Sequence, residues 1–200
     1  MITLICHGDS LTEGADLDRG FTWPALTGAS LGIRTVNRGI GGDTSAGLLA
    51  RFHPEVIQEA PEFVLILCGT NDLWWGLPAN AILANVFAMS YQAQYARITP
   101  ILATPLPFHA EIARAAQITP PAAGFDECGA ALLRYVGELK AAADRSEIPR
   151  IDLYTPFLDN AGAVRGDLFL EDGLHANRAG HRVVAETVVN RLRSDFMISG

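Results

Sequence analysis

The sequence predicts an α/β fold, a three-layer α/β/α sandwich built on a five-stranded parallel sheet. Two observations carry that prediction. Five short apolar runs alternate with five longer helical segments along the 200 residues, the order that a parallel sheet covered on both faces requires. The most apolar run, residues 63–68 (FVLILC), has no charged position on either side, as a central parallel strand buried on both faces needs. No linker, repeat or low-complexity tract interrupts the alternation, so residues 1–200 read as one domain, long enough for a full hydrophobic core.

Residues 2–6 (ITLIC) form the first strand candidate. Residues 22–31 read as a helix with Pro24 in its first turn, where a missing N–H costs nothing. A short second strand follows at 34–37. The helix at 44–52 opens on Thr44 and Ser45, both good caps. After the third strand at 63–68 come a long helix at 78–97, a fourth strand at 99–104, a helix at 126–145 and a short fifth strand at 150–153. The last helix, 178–193, places Val183, Val184, Thr187 and Val188 on one face. Residues 105–124 fit no element beyond a short helix near 111–117, and carry Pro105, Pro107, Pro120 and Pro121. A stretch of that length in a compact domain is either a surface excursion or a functional loop. It follows the fourth strand, on the edge where open α/β sheets bind ligands.

Composition narrows the function classes. Hydrophobic residues are 49% and charged residues 18%, which describes a globular chain. A net charge of −7 with no basic cluster argues against nucleic acid or an anionic membrane as main partner. No apolar stretch approaches the ~20 residues of a membrane span. Cys6, Cys68 and Cys128 make an odd count without zinc-like spacing, and two of them end apolar runs. They are expected to be buried free thiols. Free thiols suit a reducing compartment. Met1 leads into the first strand with no basic n-region, so the expected localisation is cytoplasmic.

Four polar or glycine-rich segments fall on one edge of the predicted sheet. They are Gly8-Asp9-Ser10-Leu11 after the first strand, residues 37–44 after the second, Gly69-Thr70-Asn71-Asp72 after the third, and Asp172-Gly173-Leu174-His175 ahead of the last helix. Ser10, His175 and Asp172 are the inventory of a nucleophilic hydrolase: a hydroxyl to attack, an imidazole to take its proton, a carboxylate to hold the imidazole. The Asp172-x-x-His175 spacing lets one tight turn bring the carboxylate to the far ring nitrogen. Acyl transfer also develops a negative oxygen that needs preorganised donors. Ser10 N–H, a glycine N–H from among Gly39, Gly41 and Gly42, and the Asn71 amide would supply them. No G-x-S-x-G surrounds Ser10, so the usual α/β-hydrolase elbow is not implied.

These motifs, GDSL, GGDT, GTND and DGLH, stand in one order across nearly the whole chain. In that respect the chain resembles the SGNH hydrolases, the GDSL esterase/lipase family. The resemblance implies Ser10 as nucleophile, His175 as base, Asp172 as its partner, and an oxyanion hole of Ser10, Gly42 and Asn71. Gly42 is preferred because it directly precedes the Asp43-Thr44 of the family's block. The fold expected is flavodoxin-like. The function implied is a serine ester hydrolase acting through an acyl-enzyme on a small-molecule ester, with no cofactor and no metal. The family spans esterases, lipases, lysophospholipases, thioesterases and carbohydrate deacetylases. The candidate cleft walls are apolar or aromatic (Trp74, Trp75, Leu77, Phe108) and no lid-like insertion is present, which favours short-to-medium acyl or aryl esters. The rivals are a carbohydrate acetylesterase, a lysophospholipase or thioesterase, and a catalytically silent binding domain. One departure is Ala176, where many members have proline; the histidine loop lacks that ring's stiffness.

Blander readings compete residue by residue. Ser10 could cap a helix and Asn71 could serve a turn. Asp9, Asp43 and Asp72 with His7 or His175 suggest a metal site, but that leaves Ser10, Asn71 and the Asp-x-x-His pattern unexplained. These acids are instead expected to bond backbone amides. His181 is a rival base, yet lies within the last predicted helix. His7 and His53 have no carboxylate at a telling spacing, and His109 in the 105–124 stretch is a candidate for lining the pocket. Trp74 and Trp75 are adjacent in a predicted loop and cannot easily both face inward, so one is expected in the cleft.

Overall fold

The computed structural model describes residues 1–15 and 17–198. Strands β1 (Thr3–Gly8), β2 (Arg34–Gly39), β3 (Phe63–Leu67), β4 (Thr99–Ala103) and β5 (Arg150–Ile151) form one parallel sheet in the order β2-β1-β3-β4-β5. That order is flavodoxin-like, and the chain leaves β1 toward β2 on one side and β3 on the other. The crevice outside the carboxyl ends of β1 and β3 is therefore where such a sheet holds a ligand. Gly8 at the end of β1 is level with Gly39 of β2 and Leu67 of β3, so the three following loops start side by side.

Period-two alternation distributes the strand residues between two cores. Leu4, Cys6, Leu65, Leu67, Ile101 and Ala103 face a layer containing α2 (Trp23–Leu31) and α8 (Arg178–Phe196). Ile5, Val64, Ile66 and Leu102 face the opposite layer, of α3 (Ser45–Phe52), α5 (Ala79–Tyr95) and α7 (Phe125–Arg145). Each fully buried aliphatic side chain contributes about 1.5–3 kcal/mol, so the central strands are anchored from both sides. Cys6, Cys68 and Cys128 are buried and unbridged, as their settings in the sequence implied. Among the described residues no helix is long and apolar enough to cross a membrane.

The structure departs from the sequence reading at element ends. β2 runs on to Gly39, β3 stops at Leu67, and β5 pairs only over two residues. α8 continues to Phe196. α3 passes into a π-helical turn, His53–Ile57, where Pro54 has no N–H to continue the α ladder. Two short helices, α1 (Ser10–Glu13) and α4 (Thr70–Trp74), occupy stretches that read as loops, and the helix expected near 111–117 forms as α6 (Ala110–Ala115). The 105–124 stretch is packed rather than loose: residues 105–108 are buried. His109 N–H donates to Gly173 O at 2.7 Å and Ala122 N–H to Trp74 O at 2.8 Å. It braces both α4 and the histidine loop.

Candidate active site

Ser10 opens α1 directly after β1. Asp9 caps that helix, its Oδ1 accepting Leu11 N–H at 2.9 Å, and Gly14 closes it in the left-handed region at φ 81°. The capping residue is thus Asp9, leaving the Ser10 hydroxyl free. The Ser10 Oγ lies 3.0 Å from His175 Nε2, and His175 Nδ1 lies 2.5 Å from Asp172 Oδ2. A carboxylate can only accept, so Nδ1 carries the proton and Nε2 presents its lone pair to the hydroxyl. Three residues predicted from opposite ends of the chain are in one hydrogen-bonded line.

The histidine loop is built to hold that line. Asp172 Oδ1 accepts the N–H of Leu174 at 2.9 Å and of His175 at 3.0 Å. Gly173 sits at φ +66°, and a Cβ there would stand 2.7 Å from His109 O and 2.8 Å from Ala113 N. Only glycine fits both the turn and the close approach to α6. Ala176 is buried and bridges Phe169, while Leu170 N–H donates to His175 O at 2.8 Å. These bonds supply the stiffness that a proline after the histidine would bring. Burial opposes ionisation of Asp172, but the His175 ring and the two amides outweigh it and hold the carboxyl below the usual range.

A second group of donors stands beside the serine. Gly42 is at φ +76°, in a turn that Asp43 N–H closes on Ile40 O at 3.2 Å. A Cβ on the adjacent Gly41 would come within 4.0 Å of Ser10 Cβ, which places this loop against the nucleophile candidate. Neither Ser10 N–H nor Gly42 N–H meets an acceptor among the described residues. Asn71, at the start of α4, donates one amide hydrogen to Asp43 O at 2.9 Å and has a second to offer.

The three acids are bonded mainly to backbone N–H groups, with a serine hydroxyl on Asp72 and an arginine on Asp43. Asp72 accepts Ser45 N–H at 2.9 Å and Ser45 Oγ–H at 2.6 Å. Asp43 accepts Thr44 N–H at 2.9 Å and Arg51 Nε at 2.7 Å. Asp9 is fully buried with Oδ2 unpartnered among the described residues; burial, reinforced by the charges of Asp72 and Asp43, pushes its carboxyl up to about 7. The remaining histidines stand apart. His181 is buried in α8, where Nδ1 accepts Trp23 N–H at 3.0 Å, and burial pushes it down to about 4. His7 is buried against Leu48 O, and His53 is exposed. His109 caps α6.

The aromatic candidates separate. Trp74 (7% exposed) and Phe108 (5%) belong to the core, with ring centroids 5.5 Å apart and Phe125 5.8 Å from Trp74. That corrects their reading as cleft walls, because helix α4 turns Trp74 inward. Trp75 is 63% exposed, and Ile40 (46%) and Leu77 (42%) present further apolar surface in the same edge loops. Ile40 had no signal in the sequence beyond being a lone large apolar residue inside a glycine block.

A family model described as the GDSL-like lipase/acylhydrolase family matches residues 6–183. The chain belongs to that family. Among its relatives, esterase TesA of Pseudomonas aeruginosa is 36% identical over 97 residues, 46% of this chain and 48% of that protein. That match spans about half of the relative's length. The thioesterase 1/protease 1/lysophospholipase L1 of Escherichia coli K12 is 26% identical over 193 residues, covering 96% of this chain and 83% of that one. In fold, this GDSL-like chain matches a member of the lipolytic protein G-D-S-L family from Veillonella parvula with a TM-score of 0.78 at 21% identity, covering 98% and 99% of the two chains. In this GDSL-like chain the four motifs meet around Ser10, at the carboxyl edge of the sheet.

Proposed function

We propose that the protein is a carboxylic-ester hydrolase that works through an acyl-enzyme on Ser10. The observation that carries this reading is the line Ser10 Oγ, His175 and Asp172, with contacts of 3.0 and 2.5 Å. His175 Nε2 takes the Ser10 proton as Oγ attacks the ester carbonyl. Asp172 keeps the ring in the accepting tautomer and stabilises the imidazolium. The carbonyl oxygen becomes negative and is met by Ser10 N–H, Gly42 N–H and the free Asn71 N–H. His175 then returns its proton to the alcohol as the C–O bond breaks. Water repeats the sequence on the acyl-serine: His175 takes its proton, carboxylic acid leaves and the Ser10 hydroxyl is restored.

The substrate class proposed is short-to-medium acyl or aryl esters. Exposed Trp75, Ile40 and Leu77 in the edge loops support it, as does the likeness to the Pseudomonas relative, an esterase. The test is a chain-length series of p-nitrophenyl esters, run beside acetylated xylan, acyl-CoA and lysophospholipid, with Ser10→Ala as control. The expected result is a preference for the shorter nitrophenyl esters and a loss of roughly 10⁴-fold in kcat on replacing Ser10. A Ser10→Ala protein that keeps a tenth of the parent rate, or that still labels with a fluorophosphonate as the parent does, overturns the assignment. Preference for acetylated xylan would instead place the specificity in the leaving group.

A further inference from the structure

We propose that Arg51 is a positioning residue that sets the oxyanion hole through Asp43; the inference rests on the acyl-transfer reading of Ser10, Gly42 and Asn71. Arg51 is in the last turn of α3, where a basic residue ordinarily meets the helix dipole and solvent. Here the guanidinium turns inward and is mostly buried. Its Nη2 donates to Gly8 O at 2.8 Å, its Nη1 to Arg38 O at 2.9 Å, and its Nε to Asp43 Oδ2 at 2.7 Å. Nη1 also reaches the Glu55 carboxylate and lies 3.4 Å from His7 Nδ1.

The three oxygens on that fork belong to three different parts of the site. Gly8 is the last residue of β1, two before Ser10. Arg38 leads into the glycine block. Asp43 follows Gly42, and its carbonyl holds the Asn71 amide at 2.9 Å. The rest of the loop between Arg38 and Thr44 is held at its two ends. On one side Ile40 N–H donates to Gly8 O at 3.1 Å and Gly39 N–H to Asn37 Oδ1 at 2.9 Å, and on the other the Asn71 amide donates to Asp43 O at 2.9 Å. That leaves the Gly41-Gly42 segment between them for Arg51 and Asp43 to steady. Three of the loop's residues are glycines, the freest residues in the unfolded chain. Ile40 points out, and nothing lies within 4 Å of where a Gly42 Cβ would be. A hole stabilises an oxyanion only if its donors are aimed before the charge appears. A planar guanidinium on a helix, bonded to both strand ends and to Asp43, supplies that aim, and no single ammonium can bond all three oxygens in the same geometry.

Gly47 provides an independent handle. It lies in the first turn of α3, and a Cβ there would stand 1.7 Å from Asp43 Oδ1. The missing side chain is the space the carboxylate occupies. Gly47→Ala favours the helix by propensity but must displace the Asp43 carboxylate, whose Oδ1 holds Thr44 N–H and whose Oδ2 holds Arg51. The propensity gain offsets part of the cost of that shift, so a loss of kcat larger than the change in stability is expected, which a purely structural role for the pair would not produce.

The experiment measures kcat and KM of Arg51→Lys, Gly47→Ala, Asn71→Ala and the Arg51→Lys/Asn71→Ala double variant on p-nitrophenyl butyrate. The temperature is one at which circular dichroism shows each variant folded, and Ser10→Ala runs alongside. Misplacing a reacting geometry by about 1 Å costs roughly 10²-fold. Arg51→Lys and Gly47→Ala should each lose about 10- to 100-fold in kcat with KM within about twofold. The double variant should lose clearly less than the product of its single losses, because both substitutions damage one hole. If Arg51→Lys or Gly47→Ala keeps full kcat and only its melting temperature moves, or if the losses multiply in full, Arg51 is structural and the inference fails. Where Arg51→Lys does not fold, Gly47→Ala decides alone. An active Ser10→Ala would sink the reading of the site itself, whereas a dead Ser10→Ala beside a fully active Arg51→Lys sinks only this inference.

Discussion

Replacing Asn71 with alanine removes one hydrogen bond that its amide makes in the resting protein and a second that the proposed mechanism assigns to it. The first, to Asp43 O at 2.9 Å, exists in the resting protein. Its removal leaves a part-buried carbonyl short of one donor and costs about 1 kcal/mol of stability. For a domain of this size that is a fall of about 2–4 °C in melting temperature. The second bond, the one proposed to the oxyanion, would form only when charge has developed on the substrate. Loss of one such donor lowers kcat by about 10²–10³, or roughly 3–4 kcal/mol of barrier. KM should change little, because the ground-state ester makes no demand on that donor. The assay is steady-state kinetics on p-nitrophenyl acetate and butyrate beside thermal denaturation. Should KM rise with kcat intact, Asn71 is a substrate-binding residue and the oxyanion must be met elsewhere. Should the melting temperature drop by 10 °C or more, the kcat loss says nothing about the hole.

Other expectations follow from the same geometry. His175→Ala should be nearly inactive, while His181→Ala should keep a kcat near the parent value and lose stability, since Trp23 N–H is then buried without an acceptor at a cost of about 1–3 kcal/mol; the reverse pattern of activities would reassign the base. Trp75→Ala should alter the preferred acyl length by about 1–3 kcal/mol of discrimination per methylene-sized difference, whereas Trp74→Ala should cost about 3–5 kcal/mol of folding stability; an unchanged chain-length profile in both excludes them from the cleft. Burial pushes His7 and His181 down to about 4, so their unfolded forms bind protons first and stability should fall as pH drops from about 6.5 toward 4. Asp9, pushed up to about 7, acts in the opposite direction, its stabilisation being present at acid pH and lost as pH rises from about 4 to 7. Asp9→Asn should therefore steepen the acid-side loss by up to about 1.4 kcal/mol per pH unit, as read by urea denaturation between pH 4.5 and 6.5; an unchanged slope means Asp9 is ionised in the folded protein.

The strands and the reactive edge were legible because they rest on long-range regularities. A run such as FVLILC can lie only in a doubly covered sheet, and a polar motif after such a run must stand at the sheet's carboxyl edge. Ser10 could be placed on that edge for this reason, whereas Asp172 and His175, which follow no strand, were joined to it by the Asp-x-x-His spacing and the family resemblance, although 165 positions separate the serine from the histidine. What failed to show was short or directional. α1 and α4 hold four and five residues, less than the span over which a 3.6-residue period can be recognised. The adjacent tryptophans were expected to separate, but without α4 nothing showed that Trp74 is the one that turns inward. Arg51 was invisible for a different reason: a cation in the last turn of a helix has an ordinary surface explanation, and only the fold reveals that Gly8, Arg38 and Asp43 converge on it.

The acidic residue in each of the four motifs has the same physical task. Asp9 caps the helix that carries Ser10, Asp43 holds Thr44 N–H and Arg51, Asp72 ties α4 to Ser45, and Asp172 fixes the loop of His175 as well as its ring. A carboxylate bonded to a backbone N–H is among the stronger anchors a short loop can have, so each reactive group is followed or preceded by the residue that immobilises it. The arrangement carries an electrostatic penalty, since negative charges clustered beneath an oxyanion oppose its formation. The structure answers it locally. Asp43 is paired with Arg51, the carboxylate of Asp172 faces the ring that becomes positive, and Asp9, buried without a cation, is shifted toward its neutral form. On the proposed mechanism, preorganisation by acids and stabilisation of a negative transition state are compatible because Asp43 faces Arg51, Asp172 faces the His175 ring and Asp9 is shifted toward its neutral form, while the Asp72 carboxylate is held by Ser45 N–H and Ser45 Oγ–H.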